Sequence, residues 1–131
     1  MTKKIFKSNI LVAVVVLIFG IACVMAILYQ HFGKQIDTEL KKEATYLAYG
    51  VEQNGVDYLN QIKEKDDRIT YIAEDGTVLY DNQADSSSME NHSDRKEVQE
   101  ALKSGSGRAE RDSKTLSQKT IYYALRLSDN T

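Results

Sequence analysis

One uninterrupted apolar segment dominates the hydrophobic pattern of the chain. Residues 10–29 carry no charged side chain, and every residue among them except Gly20 is hydrophobic. A helix rises about 1.5 Å per residue, so a helix of this length reaches about 30 Å, the thickness of the hydrocarbon core of a bilayer. The pattern therefore predicts a transmembrane helix over residues 9–30, with membrane lipid as its partner.

The charges beside this segment predict its orientation. Three lysines and no acidic residue lie within residues 1–8. The positive-inside rule then places residues 1–8 in the cytoplasm and residues 31–131 outside the cell membrane. A cleaved signal peptide is the alternative, because residues 24–26 satisfy the small-residue cleavage rule. The apolar run continues beyond that point to Tyr29, which favours an uncleaved, single-pass anchor.

Beyond the anchor, hydrophobic residues recur at helical spacing. They are separated by 4, 4, 3 and 4 positions and form one stripe, made of Ile36, Leu40, Ala44, Leu47 and Val51. This spacing indicates an amphipathic helix within a helical region over residues 31–65. We expect Gly50 and Asn54-Gly55 to break or kink it, with a short second helix following. The stripe can pack on its own domain or pair with a second copy in a homodimer, and the two are not exclusive.

Residues 66–131 begin with a hairpin pattern. Residues 68–73 and 77–80 are rich in β-branched and aromatic side chains, which favour strands. The Asp75-Gly76 pair between them is typical of a tight turn, because glycine accepts a positive φ freely. We therefore expect two antiparallel strands joined by this turn.

A short helix and two further strands follow. Asp94 is placed to cap the helix, and Glu97 is placed to reach back to the cap. Gly105 lies where the helix should stop. Residues 107–112 and 120–127 are the predicted strands, with a polar turn between them. This order of elements predicts an α+β fold, in which helices pack on an antiparallel sheet.

Composition narrows the functional classes. The chain has 17 basic and 19 acidic residues and a net charge of −2. Without the three N-terminal lysines, the outer domain has 14 basic residues against the same 19 acidic ones, a net charge of −5. An acidic domain gives no reason to expect nucleic-acid binding. The single cysteine, Cys23, excludes an internal disulfide and a thiolate zinc site.

The stretch Asn91-His92-x-x-Arg95-x-Glu97 carries a family resemblance, together with the predicted hairpin that ends in Asp81. It resembles the extracytoplasmic sensor domain of bacterial sensor histidine kinases of the phosphate-regulon class, which has a PAS-like (Cache-like) fold. The resemblance covers roughly residues 31–131 and the preceding anchor. Lys96 departs from the pattern, since proline is usual there, but lysine is tolerated in a first helical turn.

The resemblance implies a dimeric membrane receptor with two transmembrane segments and a cytoplasmic kinase. That kinase would use ATP and magnesium to phosphorylate its own histidine and would pass the phosphoryl group to a response regulator. The 131 residues contain no second hydrophobic segment and no nucleotide-binding motif. His31 and His92 both fall on the outer side, away from ATP. We therefore expect no catalytic residue in this chain. We interpret the chain as the N-terminal part of such a receptor, cut within its sensor domain.

Six residues in or beside the predicted sheet and loop are candidate ligand contacts, namely Tyr71, Asp81, Asn91, His92, Arg95 and Tyr122. The imidazole of His92, with a reference pKa of about 6.5, can sense pH or bind a metal. No ligand spacing demands a metal, and no metal site is predicted. The alternative is structural. In that case Asn91 and His92 bond to loop backbone, Arg95 pairs with Asp81 or Asp94, and the tyrosines belong to the core.

Two other classes of function fit the same features. A chemotaxis transducer or a cyclic-dinucleotide enzyme would carry the same outer domain with a different cytoplasmic output. An anchored extracytoplasmic binding protein, complete at 131 residues, would have no output domain. The coding sequence beyond residue 131 discriminates among these functions.

Overall fold

The computed structural model describes residues 2–62, 67–113 and 118–128. The chain divides into two compact units, residues 1–39 and residues 40–131. The helices are α1 (Thr2–Asn54), α2 (Asp57–Gln61), a 3-10 turn (Ser86–Ser88) and α3 (Lys96–Ser104), and the strands are β1 (Thr70–Ile72), β2 (Val78–Asp81), β3 (Ser106–Ser113) and β4 (Gln118–Leu125). The predicted α+β class is confirmed.

The first unit is the N-terminal part of α1. Its apolar side chains are exposed, with Phe19 and Ile27 at 70% and 67% of their full accessible surface. Among the described residues, α1 is the one helix long and apolar enough to cross a membrane. An exposed apolar surface of this length fits a membrane anchor, because it has no protein to bury it.

Helix α1 does not break at Gly50, so that prediction is wrong. It continues to Asn54 and ends before Gly55, whose φ is +70°. A Cβ at position 50 would collide with the ring of Tyr58. Gly50 therefore allows the close approach of α1 and the α2 segment, and the helix ends at the second predicted site, where glycine adopts a left-handed conformation.

The hydrophobic stripe packs on its own domain over the part that belongs to the second unit. Val51 is buried in a core cluster with Leu59 and Leu127, and Leu47 packs against that cluster. Leu40 and Ala44 are half-buried. Ile36 lies in the first unit and is 42% exposed. From Leu40 onward, the structure therefore supports the alternative in which the stripe packs on its own domain.

The predicted hairpin is confirmed. Strands β1 and β2 are antiparallel, and Thr70 lies opposite Asp81 while Tyr71 lies opposite Tyr80. Gly76 has a φ of +87° in the connecting turn, and its amide donates to the carbonyl of Ala73 at 2.9 Å. Glycine is required there because an L-residue is strained at this φ.

The start of α3 differs from the prediction. Its N-cap is Arg95, which makes no side-chain capping bond, so Asp94 is not the cap. Glu97 does not reach back to the cap either, because its buried carboxylate binds Arg111 of β3. The predicted helix stop is confirmed, since Gly105 has a φ of +91° at the C-cap.

Strands β3 and β4 form a second antiparallel pair, with Ser106 opposite Leu125 and Ser113 opposite Gln118. The predicted turn between them falls largely on residues 114–117, outside the described residues. In the described part of the chain, the strands form two two-stranded sheets, β1–β2 and β3–β4. Helix α3 packs on the β3–β4 sheet, and the core cluster lies at the end of α1.

The turn at Gly76 should be far less tolerant of a side chain than the helix stop at Gly105. A Cβ at position 76 would collide with Asn91 and with the backbone amide of Ser93, whereas nothing lies within 4 Å of a Cβ at position 105. Both substitutions strain the backbone, so we expect Gly105→Ala to lower the free energy of unfolding by about 1 kcal/mol and Gly76→Ala by about 3 kcal/mol. Urea unfolding of the full chain in detergent, followed by circular dichroism, measures both. Equal losses would contradict the predicted collision.

Candidate functional site

A groove of about 720 Å³ lies in the described part of the second unit. It is bordered by the C-terminal part of α1, by β1, by the first turns of α3 and by β4. Four of the six predicted ligand contacts line it, namely Tyr71, His92, Arg95 and Tyr122. Asp81 and Asn91 are not among the residues that line the groove.

The backbone of His92 is held by two hydrogen bonds, and the residue lines the groove. Its amide donates to the carbonyl of Gly76 at 2.8 Å, and its carbonyl accepts from the amide of Arg95 at 3.1 Å. The residue is 8% exposed. Its buried Nδ1 has no hydrogen-bond partner among the described residues. A buried polar atom without a partner is costly, so this nitrogen is a ready contact for a bound group.

Glu97 lines the groove and forms an ion pair with Arg111 of β3. Nη2 of Arg111 donates to both carboxylate oxygens of Glu97, at 2.6 Å to Oε1. The guanidinium carbon lies 4.2 Å from the centre of the Tyr122 ring. The hydrogen bond to Glu97 raises the pKa of Arg111 above its ordinary value, and this outweighs the lowering by burial. Nη1 of Arg111 is buried without a partner among the described residues.

Arg95 does not make the ion pair that was predicted for it. Its half-buried side chain lines the groove and forms no ion pair within the described ranges. Asp81 instead pairs with Arg68, whose Nε lies 2.9 Å from Oδ2. The pairing of Arg95 with Asp81 or Asp94 is therefore wrong, and a cationic group remains on the wall of the groove.

The carboxylate of Asp81 is used within the fold. Oδ2 accepts from Arg68 and from the hydroxyl of Thr70, and Oδ1 accepts from the amides of Gln83 and Ala84. Burial raises the pKa of this carboxyl, but the four bonds together lower it more, so the net shift is downward from 3.8. Asp81 thus joins β1 to the loop that follows β2.

Asn91 has a similar structural task. Its Nδ2 donates to the carbonyl of Asp75 at 2.9 Å, and its Oδ1 accepts from the amide of Ser93 at 2.9 Å. These bonds hold the loop against the hairpin turn. For Asn91 and for the backbone of His92, the structural alternative describes the observed contacts.

The two candidate tyrosines serve different surroundings. Tyr71 borders the groove and packs against the core cluster of Val51, Leu59 and Leu127. Tyr122 lies in β4 and stacks with Arg111. Among the six predicted ligand contacts, His92 and Arg95 are therefore the two that bring an unpartnered polar atom or a cation without an ion pair in the described ranges to the groove.

Sequence reasoning missed the ion pair between Glu97, which lines the groove, and Arg111 of β3. Glu97 was interpreted as a helix-capping residue, and Arg111 only as part of a predicted strand. No local pattern identifies this pair, because the two residues are 14 positions apart and lie on different elements. No group of three His, Cys, Asp or Glu side chains that could hold a metal occurs in the described residues.

An α+β domain that follows an apolar helix and carries a groove with inward polar groups has the features of an extracellular sensor domain. The family model for single Cache-like domains matches residues 30–131. The chain therefore belongs to the single Cache-like family, whose members are extracellular sensor domains of receptors and histidine kinases. No curated protein and no solved structure matches the chain.

The bonds of Asp81 predict a pH dependence of stability. We expect Asp81→Asn to lower the free energy of unfolding by about 2 kcal/mol at pH 7, because charge-assisted bonds are lost. The folded pKa is below 3.8, so the wild-type carboxylate keeps its contribution above that pH and loses it as the pH falls further. The difference between the two proteins should therefore shrink below about pH 4.

Asp112→Asn is the matched control for this experiment, because Asp112 is exposed and the charge change is the same. Chemical unfolding at a series of pH values from 7 to about 2.5 measures all three proteins. A difference between wild type and Asp81→Asn that stays constant throughout would contradict the role given to the ionised carboxylate.

Proposed function

We propose that this chain is the anchored sensor part of a two-component sensor histidine kinase. The observation that carries the proposal is the continuity of α1, which runs from Thr2 to Asn54 without a break. Its C-terminal turns contribute Val51 to the core of the sensor domain. The core of the sensor domain thus includes the C-terminal end of the helix whose N-terminal part is apolar enough to cross a membrane.

In this proposal residues 1–8 are cytoplasmic and residues 31–131 are extracytoplasmic. A signal that binds the outer domain changes the packing around Val51 and Leu47, which lie in the C-terminal turns of α1. The parent receptor is a two-pass protein, and its cytoplasmic kinase uses ATP and magnesium to phosphorylate a histidine. The phosphoryl group then passes to a response regulator.

The signal contacts are proposed at the groove. The unpartnered Nδ1 of His92 offers a hydrogen-bonding atom and the guanidinium of Arg95 offers donors, while Tyr122 offers an aromatic face. Asp81, Asn91 and Tyr71 support this site through the fold. His92 precedes α3, and Glu97 lies in the first turn of that helix. A group bound at His92 is therefore close to the helix that holds Arg111 through the carboxylate of Glu97.

The coding sequence and the phosphorylation chemistry test the kinase assignment. We expect the frame beyond codon 131 to encode a second hydrophobic segment, a phosphoacceptor histidine region and a nucleotide-binding domain. In inverted membrane vesicles, the full gene product should then incorporate an acid-labile phosphoryl group from added ATP, whereas right-side-out vesicles should not, because ATP does not cross the membrane. A chemotaxis or cyclic-dinucleotide output domain, or a stop codon, would contradict the proposal.

The homodimer is also a proposal, and we place its interface on an exposed face of α1. Leu47 and Val51 are engaged with the core of their own domain. Tyr46 and Tyr49 lie on another face of α1 and are 72% and 67% exposed. The two tyrosines are three residues apart, so their side chains lie on the same face of the helix.

We expect Tyr46→Lys combined with Tyr49→Lys to weaken dimerisation by about tenfold or more, because charge replaces two large apolar contacts on each side. Sedimentation equilibrium of the full chain in density-matched detergent measures it. Leu79→Lys is the control, since Leu79 is an exposed apolar residue of β2 at 47% exposure. Unchanged association of the double variant would dispose of this face as the interface.

A further inference from the structure

Helix α3 begins without a side chain that caps it. Its N-cap residue is Arg95, whose side chain makes no capping hydrogen bond. The first amides of a helix have no acceptor within the helix itself. In the described part of the chain, no other group accepts from the amides of Glu97 and Val98, and both residues are buried. These amides and the helix dipole make the start of α3 favourable for a negative charge.

A second, independent feature at this helix start is a buried polar atom of His92. The residue is 8% exposed, and its Nδ1 is buried without a partner among the described residues. The amide of Arg95 donates to the carbonyl of His92 at 3.1 Å, so one tight turn connects His92 to the N-cap. His92, Glu97 and Val98 all line the groove. Since Nδ1 can carry a hydrogen and donate it, the imidazole and the helix amides offer donors to one bound group.

Arg95 adds a positive charge to these donors. Its half-buried side chain lines the groove and forms no ion pair within the described ranges. The neighbouring carboxylate of Glu97 is bound to Arg111, so it does not neutralise Arg95. Polar donors and one cation therefore meet at the start of α3, which is the chemistry of an anion site.

The surrounding charges favour an anion with a single negative charge. Arg95 contributes one positive charge, whereas Asp94 lies next to it in sequence and the outer domain as a whole is acidic. A doubly charged group would be repelled more strongly by these acids. A guanidinium can bind a carboxylate through two parallel hydrogen bonds. A carboxylate thus matches both the charge and the donors of this site.

We propose that the start of α3 binds the carboxylate group of a small organic acid. Nδ1 of His92 and the amides of Glu97 and Val98 donate to the carboxylate oxygens, and the guanidinium of Arg95 neutralises the charge. This proposal rests on the signal contacts proposed at the groove and names the chemical class of the group that they hold. The kinase output is decided separately, by the coding sequence and the phosphorylation assay.

The two histidines of the chain allow a direct test by nuclear magnetic resonance. The full chain, isotope-labelled in its histidine rings, is placed in nanodiscs and titrated with acetate, while chloride keeps the ionic strength constant. His31 is exposed and belongs to α1 in the first unit, so it is the internal reference. Acetamide, which has the shape of acetate without its charge, and inorganic phosphate are titrated in parallel.

We expect acetate to shift the ring resonances of His92 to saturation and to leave those of His31 unchanged. Acetamide should cause no shift, and phosphate should bind more weakly than acetate. Arg95→Gln should weaken acetate binding by about tenfold or more, because charge-assisted hydrogen bonds are lost. Lys96→Gln is the matched control, since it removes the same charge from a neighbouring side chain that is 74% exposed. The spectrum without acetate checks that each variant is folded.

Equal shifts at both histidines would overturn the proposal, because they would report a general effect of ions. Equal acetate affinities of the Arg95→Gln and Lys96→Gln variants would also overturn it. Saturation by phosphate or acetamide but not by acetate would keep His92 as a signal contact and overturn the carboxylate class. No shift with any of the three probes would overturn both the carboxylate site and the signal contact at His92, and the kinase assignment would still be decided by its own test.

Discussion

The packing of Val51 on Leu59 and Leu127 is the contact on which the sensor unit depends. Val51 belongs to α1, Leu59 to α2, and Leu127 follows β4. Leu127 is distant in sequence from the other two, so its contact with them closes the unit from the end of α1 to the residues after β4. Tyr71 and Tyr80 of the hairpin also pack against this cluster. A change at the strands therefore reaches the end of α1 through a few side chains, since packed interiors transmit displacement.

A second constraint, the Glu97–Arg111 pair, connects α3 to the β3–β4 sheet. Glu97 has only 7% of its side chain exposed, whereas Arg111 has 34%. Partial exposure of the cation lowers the desolvation cost of the pair. Gly107 serves the same interface, because a Cβ there would collide with the backbone carbonyl of Glu97. The ion pair and the close approach of the backbones thus position the start of α3. His92 and Arg95 lie immediately before this helix.

The elements of this domain follow from local patterns, and its site depends on distant contacts. The hairpin around Gly76 and the stop at Gly105 were predicted, because a positive φ favours glycine whatever packs around it. Gly50 was misinterpreted, because a glycine can either end a helix or allow two segments to approach closely. Only the position of the Tyr58 ring, which local sequence does not reveal, distinguishes these two roles. Local spacing likewise placed Glu97 as a cap, because its partner Arg111 lies on another element. Which residues share the groove depends on such long-range contacts.

The core around the groove is thin, because no large side chain of the described residues is less than 2% exposed. The two strands that border the groove are nevertheless coupled to helices. Tyr71 of β1 packs against the Val51 cluster, and Tyr122 of β4 stacks with Arg111, which binds Glu97 of α3. A displacement of either strand therefore reaches a helix through one or two side chains, since packed interiors transmit displacement.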